Sequence, residues 1–280
     1  MKIDEAVKLN IDGAKAKANL PVWRLLLLGV MAGLFIGLGA VASSMAAHGM
    51  PTTGSLKLVT GLVFPLGLCL VILLGVELFT GNVLMVNALL SKKIGWRGLL
   101  KNWGLVYLGN FIGAVGLAAL IVFFGGIGVG GDDLAIHTAK IAVVKTSLPW
   151  AHAFVLAIFC NLLVCVAIYM ALMAKTVAGK IVAIWVPIAA FVISGFEHSV
   201  ANMYYIPAGI FTWLNPAYSQ IITDAGINIA SLDFGMFILN NLIPVTLGNI
   251  VGGALIGLTL YFCHYKKLTK KSFLGKLLHR

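Results

Sequence analysis

The chain has 280 residues, of which 60% are hydrophobic and only 10% charged, with a mean hydropathy of +1.01. Soluble domains carry about 25% charged residues, so composition excludes an ordinary soluble domain and indicates an all-α, polytopic membrane protein. The net charge of +11 does not call for nucleic acid. If there are six spans, every Lys and Arg except Lys57, Lys140 and Lys145 falls on one face. The positive-inside rule makes that face cytoplasmic, which places both termini in the cytoplasm; a prokaryotic cytoplasmic (inner) membrane is the expected location.

Residues 1–23 are polar to amphipathic and are no signal peptide, because an apolar stretch does not follow closely on the basic start. Residues 3–18 are expected to form a cytoplasmic helix lying on the membrane or on the protein itself. Span one, about 24–48, carries Gly29, Gly33 and Gly37 on one face, a spacing that permits close helix packing in lipid. Span two runs from about 56 to 90, too long for one straight crossing of ~30 Å of hydrocarbon. Its middle reads Gly75-Val76-Glu77-Leu78-Phe79-Thr80-Gly81-Asn82. A carboxylate, a threonine and an asparagine between glycines indicate two half-helices joined by a loop that faces protein or water; a long tilted helix with a polar kink is the other reading.

Span three, about 101–124, carries Leu108-Gly109-Asn110-Phe111-Ile112-Gly113, and a glycine-rich external loop with Asp132 and Asp133 is expected after it. Span four, about 147–173, has Asn161 near its middle, where an amide needs a partner; His152 near its outer end reads as solvated or capping. Span five, 180–206, contains Ser194-Gly195-Phe196-Glu197-His198-Ser199-Val200-Ala201-Asn202 in an apolar run. Ionisable groups at such depth mark functional sites. An external stretch, 207–235, includes Asn215-Pro216-Ala217-Tyr218. Span six, about 236–263, carries Leu247-Gly248-Asn249-Ile250-Val251-Gly252, so residues 24–263 form one six-helix channel domain. The basic tail 264–280 is expected to lie along anionic lipid. Cys69, Cys160, Cys165 and Cys263 form no paired motif, so neither disulfide nor metal is favoured and apolar filling is expected. No cofactor is called for.

Spans three and six share Leu-Gly-Asn-x-x-Gly, and spans two and five are each interrupted by glycine and glutamate. Three spans per copy make the repeat inverted. Paired broken helices at corresponding positions point to a transport site at the repeat interface.

These residues resemble the formate/nitrite transporter family, which includes hydrosulfide channels. The resemblance rests on Glu77-Leu78-Phe79-Thr80 in the second span and Gly195 to Met203 in the fifth. Lys101-Asn102-Trp103 and Gly109-Asn110 carry it in the third, and the Asn215-Pro216 turn adds to it. It implies an aquaporin-like fold of two inverted three-helix repeats, assembled as a homopentamer with one pore per protomer. It also implies passage of small monovalent anions (formate, nitrite or hydrosulfide) or their conjugate acids, with protons as possible partners. By resemblance, His198 is the central pore histidine and Thr80 belongs to the interrupted loop. Lys145 and Asn161 draw in the anion and support the site, with Asn202 beside them. Phe64 and Leu68 form the cytoplasmic constriction; Leu78, Phe79 and Phe191 form the external one.

The chemistry agrees. A bare anion is costly to move into hydrocarbon. A lysine field concentrates anions, half-helix N-termini direct N–H groups and partial positive charge at them, and apolar constrictions strip water. A histidine can donate a hydrogen bond or pass a proton. Glu197 would repel an anion, so it is expected to bind the interrupted loops, with Glu77 as its counterpart; relay of protons to His198 is the alternative. Rival readings are an aquaporin-type channel for water or small neutral solutes, suggested by Asn215-Pro216-Ala217, and an intramembrane enzyme. The latter has no HExxH or GxSxG motif behind it. The pore residues do not separate formate, nitrite and hydrosulfide; the lean taken is toward hydrosulfide or nitrite.

Overall fold

The computed structural model describes residues 1–265, and the regular elements among them are helices. The basic tail therefore lies outside the described residues beyond Tyr265. Helix α1 (Ile3–Ala18) opens with Asp4 and Glu5 and closes with Lys15 and Lys17, the order that suits the helix dipole. It lies on the protein: Ala6, Val7, Ile11 and Ala14 are buried in one cluster with Leu84, Met85, Leu99 and Tyr169.

Five helices are long and apolar enough to cross a membrane: α2 (Val22–Ala47), α3 (Thr53–Leu74), and, after the short apolar α4 (Phe79–Leu90), α5 (Trp96–Phe123), then α7 (Trp150–Met173) and α11 (Phe234–Tyr265). Between α5 and α7 lies α6 (Gly131–Thr146). The remaining crossing is composite, made of α8 (Val177–Ile193) and α9 (Ser199–Leu214), and α10 (Pro216–Asp224) follows it. The chain is thus a multi-pass helical membrane protein with its second and fifth crossings broken.

Each break begins at a glycine. Gly75 and Gly195 have φ of +66° and +72°, a left-handed conformation that ends a helix without strain only in glycine. The following amides reach back identically, Val76 N–H to Val71 O and Phe196 N–H to Phe191 O, both 3.1 Å.

The repeat is equally visible in packing. On α2, a methyl at Gly33 would land on the Asn110 carbonyl oxygen of α5. A methyl at Gly248 on α11 would land on the Phe154 carbonyl oxygen of α7. Both contacts are backbone on backbone, which only glycine allows, so the α2–α5 and α7–α11 pairs pack at the same close range.

Two expectations needed correction. The stretch after span three is not a loop throughout: α6 occupies Gly131–Thr146, with Asp132 and Asp133 in its first turn and Lys145 in its last. That charge order is itself a helix signal. The fifth crossing also runs past 206, because α9 continues to Leu214 and ends only where Asn215 caps α10, its Oδ1 accepting from Ala217 N–H at 3.1 Å. Of the cysteines, Cys69, Cys160 and Cys165 are buried and Cys263 is exposed.

Candidate functional site

The two breaks meet in the interior, and a duplicated polar network holds them. In the first half, Asn110 of α5 accepts from Phe79 N–H at 2.9 Å. It donates to Gly29 O at 2.8 Å and Glu77 O at 2.9 Å. In the second half, Asn249 of α11 accepts from Ser199 N–H at 2.9 Å and donates to Ala157 O at 2.8 Å and Glu197 O at 3.0 Å. Each asparagine therefore satisfies an orphan N–H of a half-helix start and a break carbonyl that has left the helix ladder.

The carboxylates repeat the pattern. Glu77 accepts from Asn82 at 2.6 Å, and Asn82 also donates to Asn102 at 2.8 Å. Glu197 accepts from Asn202 at 2.6 Å, and Asn202 also donates to Asn241 at 2.7 Å. Lysines complete both sets. Lys145 Nζ lies 2.8 Å from Glu197, and Lys17 Nζ lies 3.1 Å from Glu77 and 2.7 Å from Asn82 Oδ1. Glu77 and Glu197 thus each hold an asparagine of the half-helix that follows and a lysine from another element.

Lys17 and Asn241 were not singled out from sequence. Lys17 arrives from α1, far from the broken spans in the chain. Asn241 sits in a π-helical turn, Phe237–Leu242, just before Pro244, which has no N–H for the ladder; such turns often occur at functional sites.

Where the half-helix starts meet, Thr80 Oγ1 lies 2.9 Å from His198 Nε2. His198 Nδ1 accepts from Ala201 N–H at 3.1 Å, capping α9. With that lone pair engaged, the neutral ring carries its proton on Nε2 and donates to Thr80. Asn161 donates to Thr80 O at 3.1 Å and to Asn249 O at 2.6 Å, so it fixes the threonine and ties the halves together. Asn202 lines the cavity that also holds Lys145 and Phe191, with its Oδ1 unpartnered among the described residues.

Two cavities flank this junction. One is lined by α1 with Lys17, Leu68, Glu77, Leu78 and Asn82. The other is lined by Lys57, Phe64, His137, Lys145, Phe191, Glu197 and His198. This geometry regroups the constrictions that the resemblance implied. Phe64 and Phe191 meet edge to face at 5.8 Å on the Lys145 side. Leu68 and Leu78 share the α1 side. The reason is helical pitch: Phe64 and Leu68 are one turn apart on α3, so they lie on opposite sides of the junction. Phe79 points away, its ring 6.0 Å from Trp103 and 4.8 Å from Tyr107, beside a lateral groove. Phe191 instead stacks on His198 at 6.0 Å.

Inverted halves, facing broken helices and cavities on both sides of a buried polar junction define a membrane transport protein. Residues 4–263 match the family described as "Formate/nitrite transporter". The chain belongs to that family. It is 42% identical over 256 residues to the formate channel FocA of Haemophilus influenzae, covering 90% of each chain. It is 38% identical over 273 residues to a probable formate transporter of Methanothermobacter thermautotrophicus, covering 91% of this chain and 93% of that protein. It superposes with a TM-score of 0.78 on a pentameric formate channel with formate bound, at 36% identity, covering 87% of this chain and 97% of that one.

Proposed function

We propose that this protein forms a homopentameric channel in a prokaryotic cytoplasmic membrane, both termini inside, each protomer passing small weak-acid anions with formate first among them. The formate-named relatives replace the lean toward hydrosulfide or nitrite and favour an anion channel over an aquaporin-type one. The observation that carries the reading is the Thr80–His198 bond between two half-helix starts, with a cavity on either side. Positive helix ends converge there and offset the cost of removing an anion from water. Phe64 with Phe191, and Leu68 with Leu78, strip hydration on approach.

His198 acts as a hydrogen-bond donor. Thr80 is a hydroxyl that rotates freely, so it can turn to an arriving anion while Nε2–H follows. Passing a proton would require an imidazolium, whose Nδ1–H would displace the Ala201 amide from its cap. The test is flux of formate, nitrite, hydrosulfide and water in proteoliposomes across a pH series. Formate is expected to move; passage of water alone rejects the reading. His198→Asn is expected to lower formate flux while leaving the shape of its pH profile unchanged. A displaced profile would assign proton transfer to the ring.

A further inference from the structure

The positive-inside pattern has three exceptions, Lys57, Lys140 and Lys145, and two of them, Lys57 and Lys145, meet in one cavity. Lys57 and Lys145 both line the cavity that holds Phe64, Phe191 and His198. Lys140 is close enough to His137, on the same cavity wall, to lower its proton affinity. Basic residues on the translocated face run against the usual bias, so their convergence needs a reason of its own.

The charges are not equivalent. Lys145 is neutralised by Glu197 at 2.8 Å, with its ammonium also 5.7 Å from the Tyr205 ring. On the opposite side, Lys17 is likewise matched by Glu77. The charged residues lining the inner cavity are Lys17 and Glu77, so they cancel; those lining the outer cavity are Lys57, Lys145 and Glu197. The outer cavity keeps one net positive charge, and it resides on Lys57, which has no hydrogen bond or ion pair among the described residues. Its Nζ lies 4.0 Å from the place a Cβ would take on Gly195, at the start of the break.

Position strengthens the case. Lys57, Thr60, Phe64 and Leu68 share one face of α3. Seven residues of helix raise the Lys57 backbone about 10 Å above that of Phe64, so Lys57 is farther toward the mouth along α3 than the Phe64–Phe191 constriction. His137 is pushed down to about 4, by burial first and then by His48 and Lys140. It therefore faces the cavity as a neutral donor or acceptor near neutral pH. The cavity, about 180 Å³, has room for a small anion with waters.

We propose that Lys57, in the cavity that His137 also lines, is the capture site for a small carboxylate-like anion at the outer mouth, whereas Lys145 holds Glu197 and the broken helix in place. The inference rests on the anion-channel reading above. It makes the two mouths unequal, since an unmatched cation stands only at the outer one among the described lining residues.

The test is initial formate uptake into right-side-out membrane vesicles, measured against formate concentration at low and high ionic strength. Lys57→Gln is expected to raise the half-saturating concentration on the order of fivefold at low salt, the effect of one partly screened charge. The maximal rate should change little, and the difference should shrink at high salt. Lys57→Arg should behave as the wild type, and efflux loaded from the inner side should be insensitive to both changes. A Lys57→Gln protein with wild-type half-saturation at low salt overturns the proposal, as does a loss that Lys57→Arg shares. Failure of the wild type to carry formate overturns instead the functional reading beneath it.

Discussion

Replacing Asn249 by alanine isolates the scaffold from the chemistry, because the side chain lines neither of the two cavities at the junction but holds the second break together. Three hydrogen bonds disappear: Ser199 N–H to Oδ1, and Nδ2 to Ala157 O and to Glu197 O. The Ala157 carbonyl sits inside α7 and keeps its ladder bond. Ser199 N–H belongs to the orphan first turn of α9, and Glu197 O lies in the break, so these two are left without partners. A buried unsatisfied group costs about 1–3 kcal/mol, which gives a loss of about 2–6 kcal/mol against the 5–15 kcal/mol that holds typical proteins folded. Asn110→Ala removes the matching bonds in the first half and should cost about the same. The assay is thermal unfolding in detergent, followed by the monodisperse fraction on size exclusion. Both variants should lose at least several degrees, with the double variant failing to assemble. A well-folded Asn249→Ala protein with an unchanged midpoint would refute the argument that this amide stabilises the break.

Two further outcomes are expected. Gly33→Ala places a methyl on the Asn110 carbonyl oxygen and should disrupt the α2–α5 contact, whereas Gly116→Ala, which meets nothing within 4 Å, should be neutral or gain about 0.5–1 kcal/mol through helix propensity; comparable destabilisation of the two in a thermal melt would count against close packing as the cause. His137 has a folded-state pKa of about 4 against an ordinary 6.5, so the unfolded chain binds its proton first. Its contribution is therefore full above about pH 6.5 and lost as pH falls toward 4. His137→Asn should flatten that slope, with Lys57, Lys140, Lys145, His48 and Asp133 left in place; wild type and variant losing stability in parallel over this interval would contradict it.

Much of this arrangement was legible because membrane burial makes polar residues conspicuous. Glu77, Asn110, Glu197, His198 and Asn249 stand out in apolar runs, and their recurrence reveals the inverted repeat before any coordinates. What escaped was whatever required three dimensions. Lys17 looked like one more cytoplasmic lysine until α1 folded back beneath Glu77. Asn241 took its place only through a local π-turn. The grouping of Phe64 with Phe191 depends on where the junction falls along α3, and a sequence gives the spacing of residues on a helix without the depth of its neighbour. Helix α6 was missed because its glycine-rich start outweighed the charge order along it.

The duplicated network also separates scaffold from function. At equivalent positions the first break reads Glu77-Leu78-Phe79-Thr80-Gly81-Asn82 and the second Glu197-His198-Ser199-Val200-Ala201-Asn202. The matched ends, the glutamates and asparagines, make the same bonds in both halves. Residues that do the same thing twice, on opposite faces, serve the backbone. The unmatched residues do not repeat: His198 stands where Leu78 does, and Thr80 where Val200 does. Those two polar departures find each other across the junction at 2.9 Å. Two copies of the first break would set a leucine at position 198 against Thr80, and two copies of the second would set a valine at position 80 against His198. Either way one polar group would face an apolar side chain and the bond across the junction would be lost. Breaking the symmetry at this one contact supplies a rotatable hydroxyl and a ring donor behind it, while the surrounding symmetry keeps both held in position.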